Sequence, residues 1–173
     1  MRFWDLGAVF AIGLISHMPL NESRADSVHP AAVQRDLEAA IKAYDGGDLA
    51  HAREAWHRAA AAGSTDAMTS LANMYDRGEG VRPDVARARR WYRRAAERGD
   101  IVGQLNLGEM YLQGRGLPRD RMQAAFWLSL AGAGGNAWAL SQAAKVRAGL
   151  NDHQRELLRE MISTWRPKRR GEP

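Results

Sequence analysis

The sequence contains no cysteine. That excludes a disulfide framework, any thiolate metal site, and a lipid anchor on a cysteine. An oxidising compartment stays open. Proline is scarce, at 6 residues, and falls outside helix interiors. Runs of alternating β-branched residues are missing while alanine is abundant, a mix that favours helices over strands. After residue 20 no segment is long and apolar enough to cross a membrane as a helix. Neither sign of charge dominates the body. The formal net charge is +5, and the last eight residues, RPKRRGEP, place Arg166, Lys168, Arg169 and Arg170 against Glu172 alone. Residues 166–173 therefore read as a basic, mobile, solvated tail. The 173 residues allow one domain or a short array of repeats, with enough chain to bury a core.

Residues 1–25 differ from everything after them. Arg2 precedes a continuous apolar run, Leu6–Ile15, and Ser23-Arg24-Ala25 offers small residues at the −3 and −1 positions of a cut. This is the pattern of a secretory signal peptide, too short to span a bilayer comfortably. The expected consequence is cleavage near Ala25/Asp26 and a periplasmic or secreted bacterial protein that meets the membrane only through this signal.

What is present in abundance is self-similarity. Residues 75–84 read YDRGEGVRPD and residues 111–120 read YLQGRGLPRD, thirty-six residues on. At that offset Gly63/Gly99, Leu71/Leu107, Met74/Met110, Tyr75/Tyr111, Gly78/Gly114, Gly80/Gly116, Asp84/Asp120, Ala88/Ala124, Trp91/Trp127 and Ala95/Ala131 all coincide. A fixed period in this range marks a solenoid. Leu71 and Tyr75 share a helical face, Gly78 and Gly80 break the helix, and Asp84 caps the next one. Ala88, Trp91 and Ala95 form an apolar stripe at helical spacing. Each unit thus reads as helix, Gly-rich loop, helix, Gly, and none can bury its apolar face alone.

The array extends both ways. Upstream, Asp45-Gly46-Gly47 forms a loop five residues shorter, and Pro30 suits a helix first turn. Downstream, Arg147 replaces the tyrosine, Gly149-Leu150 replaces the long loop, and Asn151 with Gln154 resembles a capping box. The expected fold is all-α: a right-handed α-solenoid of about eight helices. Its repeats run about 30–62, 63–98, 99–134 and 135–165, the outer two being divergent capping hairpins.

These residues resemble the Sel-one-like repeat, a relative of the tetratricopeptide repeat with a longer loop. Ala67, Leu71, Tyr75, Gly78, Gly80, Val81, Asp84, Ala88, Trp91, Tyr92, Ala95, Ala96 and Gly99 fit its pattern. In the second copy Leu107, Gly108, Tyr111, Gly114, Gly116, Asp120, Ala124, Trp127 and Ala131 do so, while Gly103 replaces the first Ala and Leu117 replaces Val. The resemblance implies a non-catalytic scaffold or regulator in the bacterial cell envelope, whose concave surface holds a partner protein or peptide. One cysteine-rich branch of the family is associated with penicillin binding and β-lactam hydrolysis, so a hydrolase directed at β-lactams or peptidoglycan is the alternative that the resemblance implies, although that branch's paired cysteines are missing here.

Catalytic chemistry finds no foothold in the sequence. No serine has Lys three residues on, and Ser141 with Lys145 four on reads as an ordinary surface pair. There is no Gly-x-Ser-x-Gly and no P-loop. The 5 histidines are scattered, so no metal site is expected. Asp84 and Asp120 recur as caps, not as a catalytic pair. No cofactor and no nucleic-acid partner are expected. The first-helix side of the stack is the expected recognition surface, with Ser70, Asn73, Asn106, Glu109 and Gln113 left free by the core pattern and suited to gripping a peptide backbone. Asn106 could equally satisfy a neighbouring loop. Arg87, Arg90, Arg94 and Arg98 share one helical face. They read either as a solvated outer face or as the seat of an anionic glycan, lipid or protein partner.

Overall fold

The computed structural model describes residues 30–169, 171 and 172, which form eight helices and no strand. They are α1 (Pro30–Asp45), α2 (Leu49–Ala61), α3 (Thr65–Arg77), α4 (Val85–Glu97), α5 (Ile101–Gln113), α6 (Arg121–Ala133), α7 (Ala137–Ala148) and α8 (Asp152–Thr164). Helices pair as α1–α2, α3–α4 and α5–α6, and the pairs stack through α2–α3, α4–α5 and α6–α7. This is the all-α solenoid that the period predicts. The secretory-signal reading of residues 1–25 lies outside the described residues.

The helix boundaries are written into the sequence. The side chains of Asp48, Ser64, Asp84, Asp100, Asp120, Asn136 and Asn151 each accept from the backbone N–H three residues on. Each such cap is worth about 1 kcal/mol over alanine. Asn151 and Gln154 complete the capping box. Gly78 and Gly114 close α3 and α5 in the left-handed region, at φ 73° and 74°. The long loop then returns so that Asp84 N–H donates to the Tyr75 carbonyl at 2.8 Å and Asp120 N–H to that of Tyr111 at 3.0 Å. The recurring phrase is thus a closed ring between one helix end and the next cap.

Small residues set the helix spacing. Ala52, Ala59, Ala88, Ala95, Ala124 and Ala131 are wholly buried. Larger side chains, Met68, Leu71, Met74, Tyr92, Leu107, Met110 and Leu128, fill the space around them. One partly buried ion pair ties consecutive repeats: Arg115 meets Asp76 at 3.1 Å, with the Asp76 side chain 13% exposed. The exposed pairs, such as Arg159–Glu156, contribute little.

Two expectations need correction. The last two helices do not close a capping hairpin. α8 packs on α6 and makes little approach to α7. The cause lies in what each neighbour offers. α7 carries Arg147 where earlier repeats carry Tyr75 and Tyr111. α6 offers Ala125, Phe126, Trp127 and Leu130, which join Leu150, Leu158, Met161, Ile162 and Trp165 in one cluster. Apolar burial therefore draws α8 across to α6.

Nor is the basic tail free along its described length. Lys168 N–H donates to the Glu97 carbonyl at 2.7 Å, and its ammonium lies 3.5 Å from the Glu97 carboxylate. Trp165 and Pro167 lie beside Gly99. The apolar anchor at Trp165, one residue past α8, delivers the chain to the end of α4.

Candidate functional site

The first helices of the pairs, α1, α3 and α5, continue into α7. On them the period brings three rows of equivalent positions: Ser70, Asn106 and Gln142; Asn73, Glu109 and Lys145; Arg77, Gln113 and Gly149. A cleft opens near each end of this row.

The first cleft, about 210 Å³, lies between α1 and α3 and is lined by Tyr44, Trp56, Ser70, Asn73, Met74, Arg77 and Glu79. The Tyr44 and Trp56 rings sit 5.4 Å apart, tilted by 53°. The Tyr44 hydroxyl donates to Glu79 at 2.9 Å, and that hydrogen bond, with the carboxylate charge behind it, raises the phenol above its ordinary pKa. Arg77 stands 3.5 Å from the same carboxylate. The wall is thus aromatic and the rim a Tyr–Glu–Arg chain with its charges balanced.

The second cleft, about 340 Å³, lies among α5, α6 and α7 and is lined by Leu112, Arg121, Gln142, Lys145, Val146 and Gly149. It repeats the first two units later, since Gln142, Lys145, Val146 and Gly149 stand where Ser70, Asn73, Met74 and Arg77 stand.

Of the five predicted recognition residues, the structure gathers Ser70 and Asn73 into the first cleft. Asn106, Glu109 and Gln113 lie one repeat along, on α5, part exposed or exposed. Several are already engaged. The Ser70 hydroxyl donates to the Asp66 carbonyl at 2.8 Å. The Asn106 amide donates to the Val102 carbonyl at 2.8 Å, so it serves its own helix and not a neighbouring loop. The Asn73 carbonyl oxygen accepts from the Tyr92 hydroxyl at 2.6 Å. Tyr44, Trp56, Glu79 and Arg121 escaped sequence reading. Gln142 and Lys145 were reachable, because the period that relates Ser70 to Asn106 continues to them.

Asn73 has a structural duty through that bond. Tyr92 is 1% exposed, and burial, with the Asp76 carboxylate adding to it, pushes its phenol up to about 12 from 10.0. Between those values the unfolded chain loses the proton and the folded chain keeps it. The stabilisation is full below pH 10 and is lost as pH rises through 12, about 2–3 kcal/mol in all. Tyr92→Phe is expected to cost about 1 kcal/mol at neutral pH and to flatten the alkaline limb of melting temperature against pH. Parallel limbs for both proteins would refute the burial of this hydroxyl.

Of the four arginines predicted to share a face, Arg87, Arg90 and Arg94 on α4 and Arg98 at its C-cap, three are engaged within the chain. Arg87 pairs with Asp84 at 3.0 Å and its guanidinium lies 5.4 Å from the centre of the Tyr75 ring. Arg94 lies 4.8 Å from the centre of the Trp91 ring. Arg98 donates back to the Arg94 carbonyl at 3.2 Å. Arg90 is exposed and makes no hydrogen bond, ion pair or ring contact among the described residues. Arg94 and Arg98 also line a groove whose far wall is Gly171 and Glu172 of the same chain. Glu97, at the end of α4, holds Lys168.

Among the described residues no group of three or more His, Cys, Asp or Glu could hold a metal, and no helix is long and apolar enough to cross a membrane. Ser141 and Lys145 are both exposed on α7.

Comparison with known proteins gives a consistent picture. The Sel1 repeat profile matches residues 65–100 and 101–136. No curated protein matches the sequence. Among solved structures, a protective antigen of uropathogenic Escherichia coli strains with an SLR fold is similar at 29% identity and a TM-score of 0.68. The match covers 78% of this chain and 31% of that one, so this chain spans about a third of its length. A Sel1 repeat protein from Oxalobacter formigenes is similar at 32% identity and a TM-score of 0.62, over 65% of this chain and 88% of the other. Two profile matches in register with the period, on helices that stack as pairs, lead to one conclusion: the chain belongs to the Sel1 repeat family.

Proposed function

We propose that this chain is a non-catalytic scaffold that holds a partner protein or peptide along its first-helix face, working in the bacterial cell envelope after export through its N-terminal segment. The Sel1 repeat fold is typical of protein–protein interaction scaffolds, and such proteins generally bind protein partners. The observation that carries the reading for this chain is the repeated row: two clefts of the same register, one aromatic and one cationic, joined by the amide and carboxylate side chains of α5. A row of this kind suits an extended segment, whose backbone amides can pair with Asn106 and Gln113 while its side chains enter the clefts. An anionic partner on the α4 face has less support, because Arg87, Arg94 and Arg98 of the predicted four are engaged within the chain.

The test is capture of a partner from envelope extract by the purified chain, against the double variant Asn106→Arg, Gln113→Arg. Retention is expected to fall about tenfold or more, equivalent to about 1.4 kcal/mol, while Arg90→Ala leaves it unchanged. The opposite ranking would move recognition to α4. Export is checked by the N-terminal sequence of the envelope fraction, expected to start at Asp26. A chain confined to the cytoplasm would remove that part of the proposal.

A further inference from the structure

The stack has an open end. Met68, Thr69 and Ala72 of α3 are 0%, 8% and 0% exposed. Their counterparts on α5 are Gln104, Leu105 and Gly108, of which Gln104 and Gly108 are buried and Leu105 partly so. The counterparts on α7, Leu140, Ser141 and Ala144, are all exposed, Leu140 at 56%. Among the described residues no helix covers them: α8 packs on α6, and only its Arg155 reaches the edge of the face, beside Ala144, Arg147 and Ala148. Ala137 and Ala148 continue the same exposed face, and Trp138, 47% exposed, borders it.

We propose that this face of α7 is the contact by which two copies of the chain pair, helix against helix, antiparallel about a two-fold axis. This goes beyond the first-helix reading and does not rest on it. The pattern along α7 is self-complementary. Its N-terminal half carries the apolar Trp138 and Leu140, and its C-terminal half carries Lys145 and Arg147, with no acid between. Helical angles place Trp138 and Lys145 on one flank of the stripe and Leu140 and Arg147 on the other. A two-fold with its axis at the level between Ser141 and Ala144 keeps each flank on its own side. It therefore lays Lys145 of one copy by the Trp138 ring of the other, and the Arg147 stem over Leu140. The small side chains of Ala137, Ser141, Ala144 and Ala148 at the centre let the helix axes approach closely. A parallel pair would instead oppose cation to cation. A foreign helix would have to supply acids to meet Lys145 and Arg147, whereas a second copy needs none. The contact is one helix of 12 residues a side, at the small end for a specific interface, so a micromolar dimer is expected.

The chain has no cysteine, so a single introduced one reports only on contact between copies. The full chain carrying Ser141→Cys is expected to oxidise to a covalent dimer, and the control Arg90→Cys to stay monomeric. Sedimentation of the unmodified chain should show a concentration-dependent dimer. Leu140→Glu should weaken it about tenfold or more with the helical signal unchanged, and Trp138→Ala should do so independently should Leu140→Glu fail to fold. A monomer across the micromolar range, a dimer indifferent to both variants, or equal cross-linking at residues 141 and 90 would overturn the proposal. So would an α7 face that stays monomeric and pairs only with a different protein.

Discussion

Gly103→Val is expected to destabilise the stack by about 3 kcal/mol, a fall of roughly 10 °C in melting temperature. Helix propensity alone points the other way. Gly in a helix interior is about 1 kcal/mol worse than Ala and somewhat worse than Val. The contacts reverse that sign. A Cβ at Gly103 would stand 2.8 Å from both the Ala95 Cβ and the Ala96 backbone nitrogen, and 3.0 Å from the Tyr92 carbonyl oxygen. None of these atoms belongs to a flexible side-chain end, so α4 and α5 must part. Even Gly103→Ala should therefore destabilise, by about 1–2 kcal/mol. The equivalent positions in the flanking repeats are Ala67 and Ala139, both wholly buried, so the restriction belongs to the α4–α5 junction and not to the repeat. Thermal melts of the two variants check it. A neutral or raised melting temperature for both would contradict the close approach of these helices.

The second large effect concerns α8. Leu158 is 1% exposed within the cluster that joins α8 to α6. Leu158→Ala is expected to cost about 3 kcal/mol, from lost burial plus the cavity left behind. Which helix it leans on can be read from coupling. Leu158→Ala and Phe126→Ala should be non-additive by about 1 kcal/mol, because the two share a cluster, whereas Leu158→Ala with Leu140→Ala should add. The reverse pattern would put α8 back against α7, close the open face and remove the basis for pairing through it.

Much of this architecture was legible because the repeat states each local rule more than once. Asp84 and Asp120 could be assigned as caps, and Gly78 and Gly114 as helix ends, since each pair does the same thing at the same register. Legibility failed where the period stops. α8 has no counterpart that says which neighbour it prefers, and the outcome depends on the apolar area offered by α6 against α7, a comparison between surfaces and not between sequences. The tail shows the same limit. RPKRRGEP is polar enough to stay in solvent, yet Trp165 fixes where it starts and the Glu97 carbonyl lies within reach of Lys168. At the site, Ser70, Asn73, Asn106, Glu109 and Gln113 followed from asking which positions the core leaves free. Tyr44, Trp56 and Glu79 did not, because a cleft wall is built by neighbouring units and no single repeat's pattern shows it.

On the proposed function the first-helix face, and not the arginine face of α4, holds the partner. A photo-reactive phenylalanine analogue placed at Gln113 or at Arg90 of the full chain, irradiated in envelope extract, tests it directly. One discrete adduct through residue 113 and none through residue 90 is the expected result. Adducts through residue 90 alone would contradict it.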